Sequence, residues 1–499
     1  MAARCRRLSW HSRRSAWPLW KENLMFKKIL PFLAVAIVSI IFAFVIPALQ
    51  QRYDTLALAA VVGIPFLLLV SIFLIKNPSV GALLILFFLP FERMPSVEVG
   101  GVNIRINHFL IGLTFLIWLC WMLAQRKMIF QKNPAALPIL FFFLVNLATL
   151  LFARDLKRAA MVVVFLGFVI LAHILIVNLI RSKELMRKAV LVLFLTSLIV
   201  SIFALYQFFG DLAGLPLSLT GLKSGYNKIV FGFPRPHAAS LEPLYFANFL
   251  FIPLGLTLSY FFQKVKIIKR PWLFVLILLF LVVFVLTLSR GAYLGLAFFF
   301  LTFAIFQARK IFTVKNIIQF AAVAMIVSAA VYLFLSYSAP KALDEFLGHA
   351  KVEDFSRGES VVARLKAADS AFTAFRENSL LGIGAGNFGP YVKNYPNQIP
   401  PTGWPIVNNQ YLETLAENGI LGITFLMLIF IILFVRSIMA YFKTKDNFLK
   451  ATMLGLMAAF VGVLAQFVTF STIYILAIWV LMGLLVVTQN LIFAKAKNV

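Results

Sequence analysis

The chain has 499 residues, of which 62% are hydrophobic and only 13% charged, and its mean hydropathy is +0.95. A soluble core of this size has no use for so many long apolar runs, so the composition places the chain among polytopic membrane proteins. The formal charge of +28 does not point to nucleic acid, because the basic residues fall in short clusters between apolar runs, as cytoplasmic loops do.

The first segment, residues 1–28, is a basic cytoplasmic tail, rich in arginine and nearly free of acids. Met25 opens a more ordinary membrane-protein start, two lysines followed by an apolar helix, so the preceding residues read either as a mis-assigned start or as a disordered tail. Cys5 in this tail and Cys120 in an apolar run cannot build a disulfide framework.

A bilayer core of roughly 30 Å needs about 20 apolar residues per helix. By that measure the spans are 29–49, 55–75, 107–124, 134–153, 159–180, 188–209, 240–262, 271–289, 291–307, 316–337, 419–436, 451–470 and 473–491. A further short span at 79–91 makes the loop charges alternate, so the expected fold is all-α, with about 12–14 transmembrane helices. Residues 29–229 and 426–499 then form the N-terminal and C-terminal helix groups around a central region, 230–425. The clusters "QRKMIFQK", "RSKELMRK", "QKVKIIKR", "ARKIFTVK" and "RSIMAYFKTKDNFLK" share one side with both termini, which makes that side cytoplasmic. The opposite, outer side receives the segments 210–239 and 338–418 and the turn at Ser289-Arg290-Gly291. Connections this long are functional or disordered, and these two hold most of the unusual residues.

Within the long outer loop, "SVVARLKAADSAFTAFRE" places Val361, Leu365, Ala368, Phe372 and Phe375 on one helical face, so a helix lying along the membrane surface is expected. Arg364 borders that face, where a snorkelling arginine also fits. "LLGIGAGNFGPY" superficially resembles a dinucleotide fingerprint, but no strand precedes it and it lies outside. Its glycines allow close backbone approach, either to another loop or to an anionic ligand. "NYPNQIPPTGWP" adds Tyr395 and Trp404, whose rings suit sugars or a membrane interface equally. "PIVNNQYLETLAENGILGI" then gathers Asn408, Asn409, Gln410, Tyr411, Glu413 and Glu417 ahead of a span. One asparagine is needed as a helix cap, and the rest place part of this surface at a polar cavity. Arg235, in "FGFPRPHAASLEPLYFANFL", and Arg290, in "LTLSRGAYLGL", lie where apolar helices begin. An arginine there is costly unless it pairs or lines a hydrated cavity. Three arginines from separate outer segments fit one anionic ligand, because guanidinium matches phosphate oxygens bidentately.

The order "RPHAASLEPLYFANFL", "TLSRGAYLGL", "ARLKAADSAFTAFRENSLLGIGAGNF" and "NNQYLETLAENGILG" resembles the O-antigen ligase and polymerase superfamily over about residues 230 to 425. The resemblance implies a glycosyltransferase at the outer face of the cytoplasmic (inner) membrane that takes a glycan from an undecaprenyl diphosphate carrier and passes it to a lipid or glycan acceptor. It implies no nucleotide sugar, no cofactor and no metal. By position Arg235, Arg290 and Arg364 match the family's arginines, which would bind the diphosphate, with Gln410, Tyr411 and Glu413 on the acceptor wall. The family's usual histidine ahead of the tyrosine–leucine pair is replaced here by Asn408, and an amide orients a hydroxyl without taking its proton. His237, His349, Glu353, Asp354 and Glu359 are the candidate substitutes, so Asn408 and His237 head the catalytic expectations. The rival class is a transporter or flippase of an anionic solute or lipid-linked glycan. A transporter needs charged or broken helices near the midplane of both halves, and the polar residues here gather on one side.

Overall fold

The computed structural model describes residues 70–93, 96–99, 102–126, 130–226, 233–311, 359–393 and 405–495, with isolated helical positions at 318, 325, 329 and 336. The basic tail, the span 29–49, residues 55–69 of the span 55–75, most of 316–337 and the first part of the long loop lie outside the described residues. In chain order the helices are α1 (Ser79–Phe87), α2 (Ile106–Ala124), α3 (Ala136–Ala148), α4 (Leu156–Leu179), α5 (Lys183–Leu212), α6 (Pro243–Gln263) and α7 (Arg270–Leu286). They continue as α8 (Arg290–Ile311), α9 (Glu359–Glu377), α10 (Phe388–Lys393), α11 (Gln410–Lys443), α12 (Asn447–Gln466) and α13 (Leu476–Lys495).

Among the described residues eight helices are long and apolar enough to cross a membrane: α2, α4, α5, α6, α8, α11, α12 and α13. The expected spans 134–153 and 271–289 are present as shorter apolar helices. The fold is that of an all-α multi-pass membrane protein. Two details differ from the sequence reading. The run 79–91 yields only nine helical residues, about 13 Å of rise, because the chain turns at Phe88 and the N–H groups of Glu92 and Arg93 both donate to Ala239 O, at 3.1 and 2.9 Å. After this turn comes a small antiparallel hairpin, β1 (Ser96–Val99) with β2 (Val102–Arg105), in which Ser96 faces Arg105.

Successive helices run in opposite directions, so the connections collect at two ends. At one end Gln131 N–H donates to Asn178 Oδ1 and Lys183 pairs with Asp446 at 2.5 Å. At the other, the described parts of the connections meet: Glu92 and Arg93 reach Ala239, Arg235 reaches Thr287 and Ser289, Asp155 reaches Asn387 and Gln410 reaches Phe467. Between the ends, α6, α12 and α13 are buried along most of their length, whereas α2 and α8 keep most of their surface outward, as lipid-facing helices do. The close packing of α12 comes from glycine. A Cβ added to Gly255 of α6 would lie 2.2 Å from Gly455 O, and one on Gly295 of α8 would lie 2.6 Å from Gly462 O. Backbones therefore touch without intervening side chains, which gives dispersion contacts that lipid cannot supply.

Candidate functional site

Arg235 sits on the loop leading into α6. Its N–H donates to Tyr226 O at 2.8 Å, its Nε to Thr287 O at 3.2 Å and its Nη2 to Ser289 Oγ at 3.2 Å. The guanidinium lies over the Tyr226 ring, 5.6 Å from its centre. Thr287 and Ser289 belong to the tight turn between α7 and α8, and the next residue, Arg290, starts α8 with an exposed side chain. The structure thus brings together the two arginines that the sequence put on separate segments. Burial holds the Arg235 pKa below its ordinary value; Tyr226, Glu242 and Tyr293 oppose that shift and Arg290 adds to it. Glu242, the residue ahead of α6, is the acid of this cluster. Burial pushes its carboxyl up while Lys223 and Arg235 pull it down.

His237 is fully buried two residues further on. Its Nε2 accepts from the backbone N–H of Lys223 at 3.3 Å and faces Arg93 Nη1 at 3.3 Å, while Arg93 Nη1 also donates to Gly221 O at 2.8 Å. Two donors at Nε2 put the ring proton on Nδ1, which is buried with no hydrogen-bond partner. Burial, with Arg93 second, lowers the imidazole pKa to about 4. The acceptor nitrogen is therefore already occupied, and the neutral ring holds the loops 88–93 and 221–240 together.

The polar stretch ahead of the span at 419 makes a second group. Asn409 caps α11, accepting from the N–H groups of Tyr411 and Leu412 at 3.0 and 3.1 Å. Asn408 precedes it in a left-handed conformation, φ 57°, half-exposed. Gln410 is buried: its Oε1 accepts from Thr472 and Ile473 N–H at 2.8 and 2.7 Å, and its Nε2 donates to Thr414 Oγ1 at 3.0 Å. Tyr411 donates its hydroxyl to Leu464 O at 2.8 Å. Glu413 Oε2 accepts from Val407 N–H at 2.9 Å and Ser471 Oγ at 2.7 Å. Through these three side chains the start of α11 is fastened to α12 and to the α12–α13 connection. The polar segment ends at Gly419, whose backbone (φ 63°, ψ −164°) is non-helical and separates residues 410–418 from the spanning part.

Glu417 explains the glycine-rich stretch. Its Oε2 accepts from Gly386 N–H at 2.7 Å and its Oε1 from Phe388 N–H at 3.0 Å. The N–H groups of Gly382, Ile383 and Gly384 go to Asn378 O, Ala416 O and Glu417 O, at 2.8, 3.0 and 3.0 Å. Ala385 N–H goes to Thr149 Oγ1 at 3.1 Å and Asn387 N–H to Gly384 O at 3.1 Å. Every backbone donor from 382 to 388 is spent within the protein, so the glycines serve close approach to α11 and not an anion. A Cβ on Gly382, at φ 74°, would lie 2.3 Å from the Glu417 backbone. Arg158, at the start of α4, donates its Nε to Gly386 O and interacts electrostatically with Glu417, Asp155 and Glu413. Sequence reasoning misses it, as it misses Glu92, Arg93 and Glu242.

Arg364 is exposed on α9, whose Ala371 and Ala374 pack with Ile383, Phe388, Val407 and Ala416. Leu365 and Phe372 of the expected apolar face stay outward, 66% and 46% exposed. His349, Glu353 and Asp354 lie outside the described residues, and the side chain of Glu359 is not among those described. No curated protein matches the chain. The O-antigen ligase family model matches residues 274–427, from α7 into α11, a region that holds Arg290, Arg364, Asn408 and both fastening glutamates but begins after Arg235. The chain is thus a multi-pass membrane protein, with eight helices of spanning length among the described residues, that carries a region similar to the O-antigen ligase family over residues 274–427.

Proposed function

We propose that this protein is a glycosyltransferase that transfers or polymerises an undecaprenyl diphosphate-linked glycan at the outer face of the cytoplasmic membrane. The observation that carries the reading is the Arg235–Arg290 pair, one guanidinium held by the α7–α8 turn and by Tyr226, the other exposed at the first residue of α8. Fixed cations beside a helix N-terminus suit a diphosphate, and they stabilise the charge that grows on it as the glycan leaves. The distribution of charge supports the outward orientation. Arg181, Lys183, Lys264 and Lys269 lie at the end opposite this pair, where the positive-inside bias puts the cytoplasm.

In this reading the fastened loops around Glu413 and Glu417 form the scaffold of the acceptor side, with the half-exposed Asn408 beside it. Arg364 contributes charge at the rim. Because the ligase histidine is absent, polymerisation or an unusual ligation is favoured over standard ligase chemistry. The test is transfer by the purified protein in nanodiscs from an undecaprenyl diphosphate oligosaccharide, without nucleotide or metal, with lipid products resolved by mass spectrometry. Longer carrier-bound glycans or glycan on an added acceptor are expected, with Arg235→Ala and Arg290→Ala each lowering the rate by about 100-fold or more. Donor that binds without turnover across several acceptors would replace transfer with transport.

A further inference from the structure

A cavity of about 220 Å³ is linked to the arginine pair through Glu242, whose charge acts both on Arg235 and on Glu92 in the cavity wall. Its walls come from the turn after α1, the start of α2, the upper part of α4, the start of α6 and the α12–α13 connection. Glu92, Asn107, Phe165, Phe168, Tyr245 and Tyr474 line it. Leu241 directly precedes Glu242 and Tyr245 follows it three residues later, so the segment entering α6 serves both the cavity and the Arg235 cluster.

The polar groups of this cavity share a deficit. Glu92 is 7% exposed, and its Oε2 has no hydrogen-bond partner. Asn107 is 3% exposed; its Nδ2 donates to Phe88 O at 2.9 Å, but its Oδ1 has no partner. Both orphans are acceptors, so the missing partner is a donor, as a sugar hydroxyl is. Leaving two buried acceptors unmet carries a desolvation penalty that a fold tolerates where a ligand later supplies the protons. The rings of Phe165, Phe168 and Tyr245 add flat apolar walls that suit the face of a pyranose.

Resting on the transfer reading, we propose that this cavity receives the acceptor sugar and that the Glu92 carboxylate takes the proton of its attacking hydroxyl. The hydroxyl oxygen bonds to the anomeric carbon of the donor glycan. The carbon–oxygen bond to the carrier breaks, and its electron pair leaves on undecaprenyl diphosphate, beside Arg235 and Arg290. The hydroxyl proton passes to Glu92 and then to water. This fills the role for which Asn408 lacks the chemistry.

The charge environment suits a base. Burial pushes the Glu92 carboxyl up to about 7, with Arg105 and the Leu241 N–H pulling it down and Glu242 adding to the rise. His108, Tyr245 and Tyr474 are the other titratable groups around the cavity. Below about pH 7 the carboxyl is protonated and cannot accept, so the rate should fall on the acid side with a midpoint near that value.

The experiment compares Glu92→Gln and Val169→Phe with an active wild type, measuring initial transfer rate from about pH 5.5 to 8.5, donor binding and acceptor KM. Glu92→Gln should lose about 100-fold or more in kcat and lose the acid limb, with donor binding unchanged. Val169 also lines the cavity, and Val169→Phe, which narrows it, should raise acceptor KM by about tenfold and leave donor binding intact. A Glu92→Gln rate within about threefold of wild type, donor binding lost together with rate, or an unchanged KM for Val169→Phe each overturn the proposal. An inactive wild type instead overturns the transfer reading on which it rests.

Discussion

Glu417→Ala isolates what holds the outer loop in place. The substitution removes the two acceptors of Gly386 and Phe388 N–H, at 2.7 and 3.0 Å, and both residues are buried, so no water replaces them. An unsatisfied buried donor costs about 1–3 kcal/mol, so the two together cost about 2–6 kcal/mol. Arg158 loses one of its acidic neighbours at the same time, which acts in the same direction. Since about 1.4 kcal/mol is a factor of ten, local opening of the loop should become about 30-fold more frequent at the least. Hydrogen exchange with mass spectrometry on peptides spanning 382–391 reads this directly, with peptides of α12 as the internal reference. Loop protection within about threefold of wild type would refute the idea that Glu417 is the fastener. Glu417→Gln keeps one oxygen and should lose about half as much.

Two backbone predictions are independent of any activity. Gly419→Ala forces a side chain into a conformation reserved for glycine, about 1–3 kcal/mol of strain, and places its Cβ 2.4 Å from the Leu380 backbone. Its thermal midpoint and yield in detergent should fall sharply, while Gly112→Ala, whose Cβ meets nothing within 4 Å, should match or slightly exceed wild type. Asn408→His should stay within about 1 kcal/mol of wild type in thermal melts, because histidine and asparagine both tolerate positive φ, whereas Asn408→Val should not. Equal losses for both Asn408 substitutions would show that the amide, and not the backbone, is what that position requires.

The helices were legible because lipid demands long apolar runs, and runs such as 188–209 and 451–470 leave little else to fit. The outward face of α9 was legible from the spacing of Leu365 and Phe372, but not its alanine face, because small residues carry little hydrophobic signal. The hairpin also has a sequence signature: Val97, Val99, Val102 and Ile104 alternate around a Gly-Gly pair, a period-two pattern short beside the long apolar runs around it. Arg158 left a trace as well. "ARDLKR" is a basic cluster at the end opposite the other basic clusters, and the reason it is tolerated there is the buried acid around Glu417. What no pattern could give is the use of each polar side chain. Gln410, Glu413 and Glu417 look alike as candidates for ligand contact, and only their partners, backbone N–H groups in other segments, assign them to fastening.

The fastening also imposes an order in time. Glu417 lies 31 residues beyond Gly386, so during synthesis the glycine-rich segment emerges before the group that closes it. Thr149 and Asp155, which hold Ala385 and Asn387 from the other side, are made long before either. The loop can thus lean on the early helices but cannot lock until α11 has entered the membrane. A chain halted between these points has only water to receive the donors at Gly386 and Phe388, which makes α11 the segment whose insertion completes the outer face.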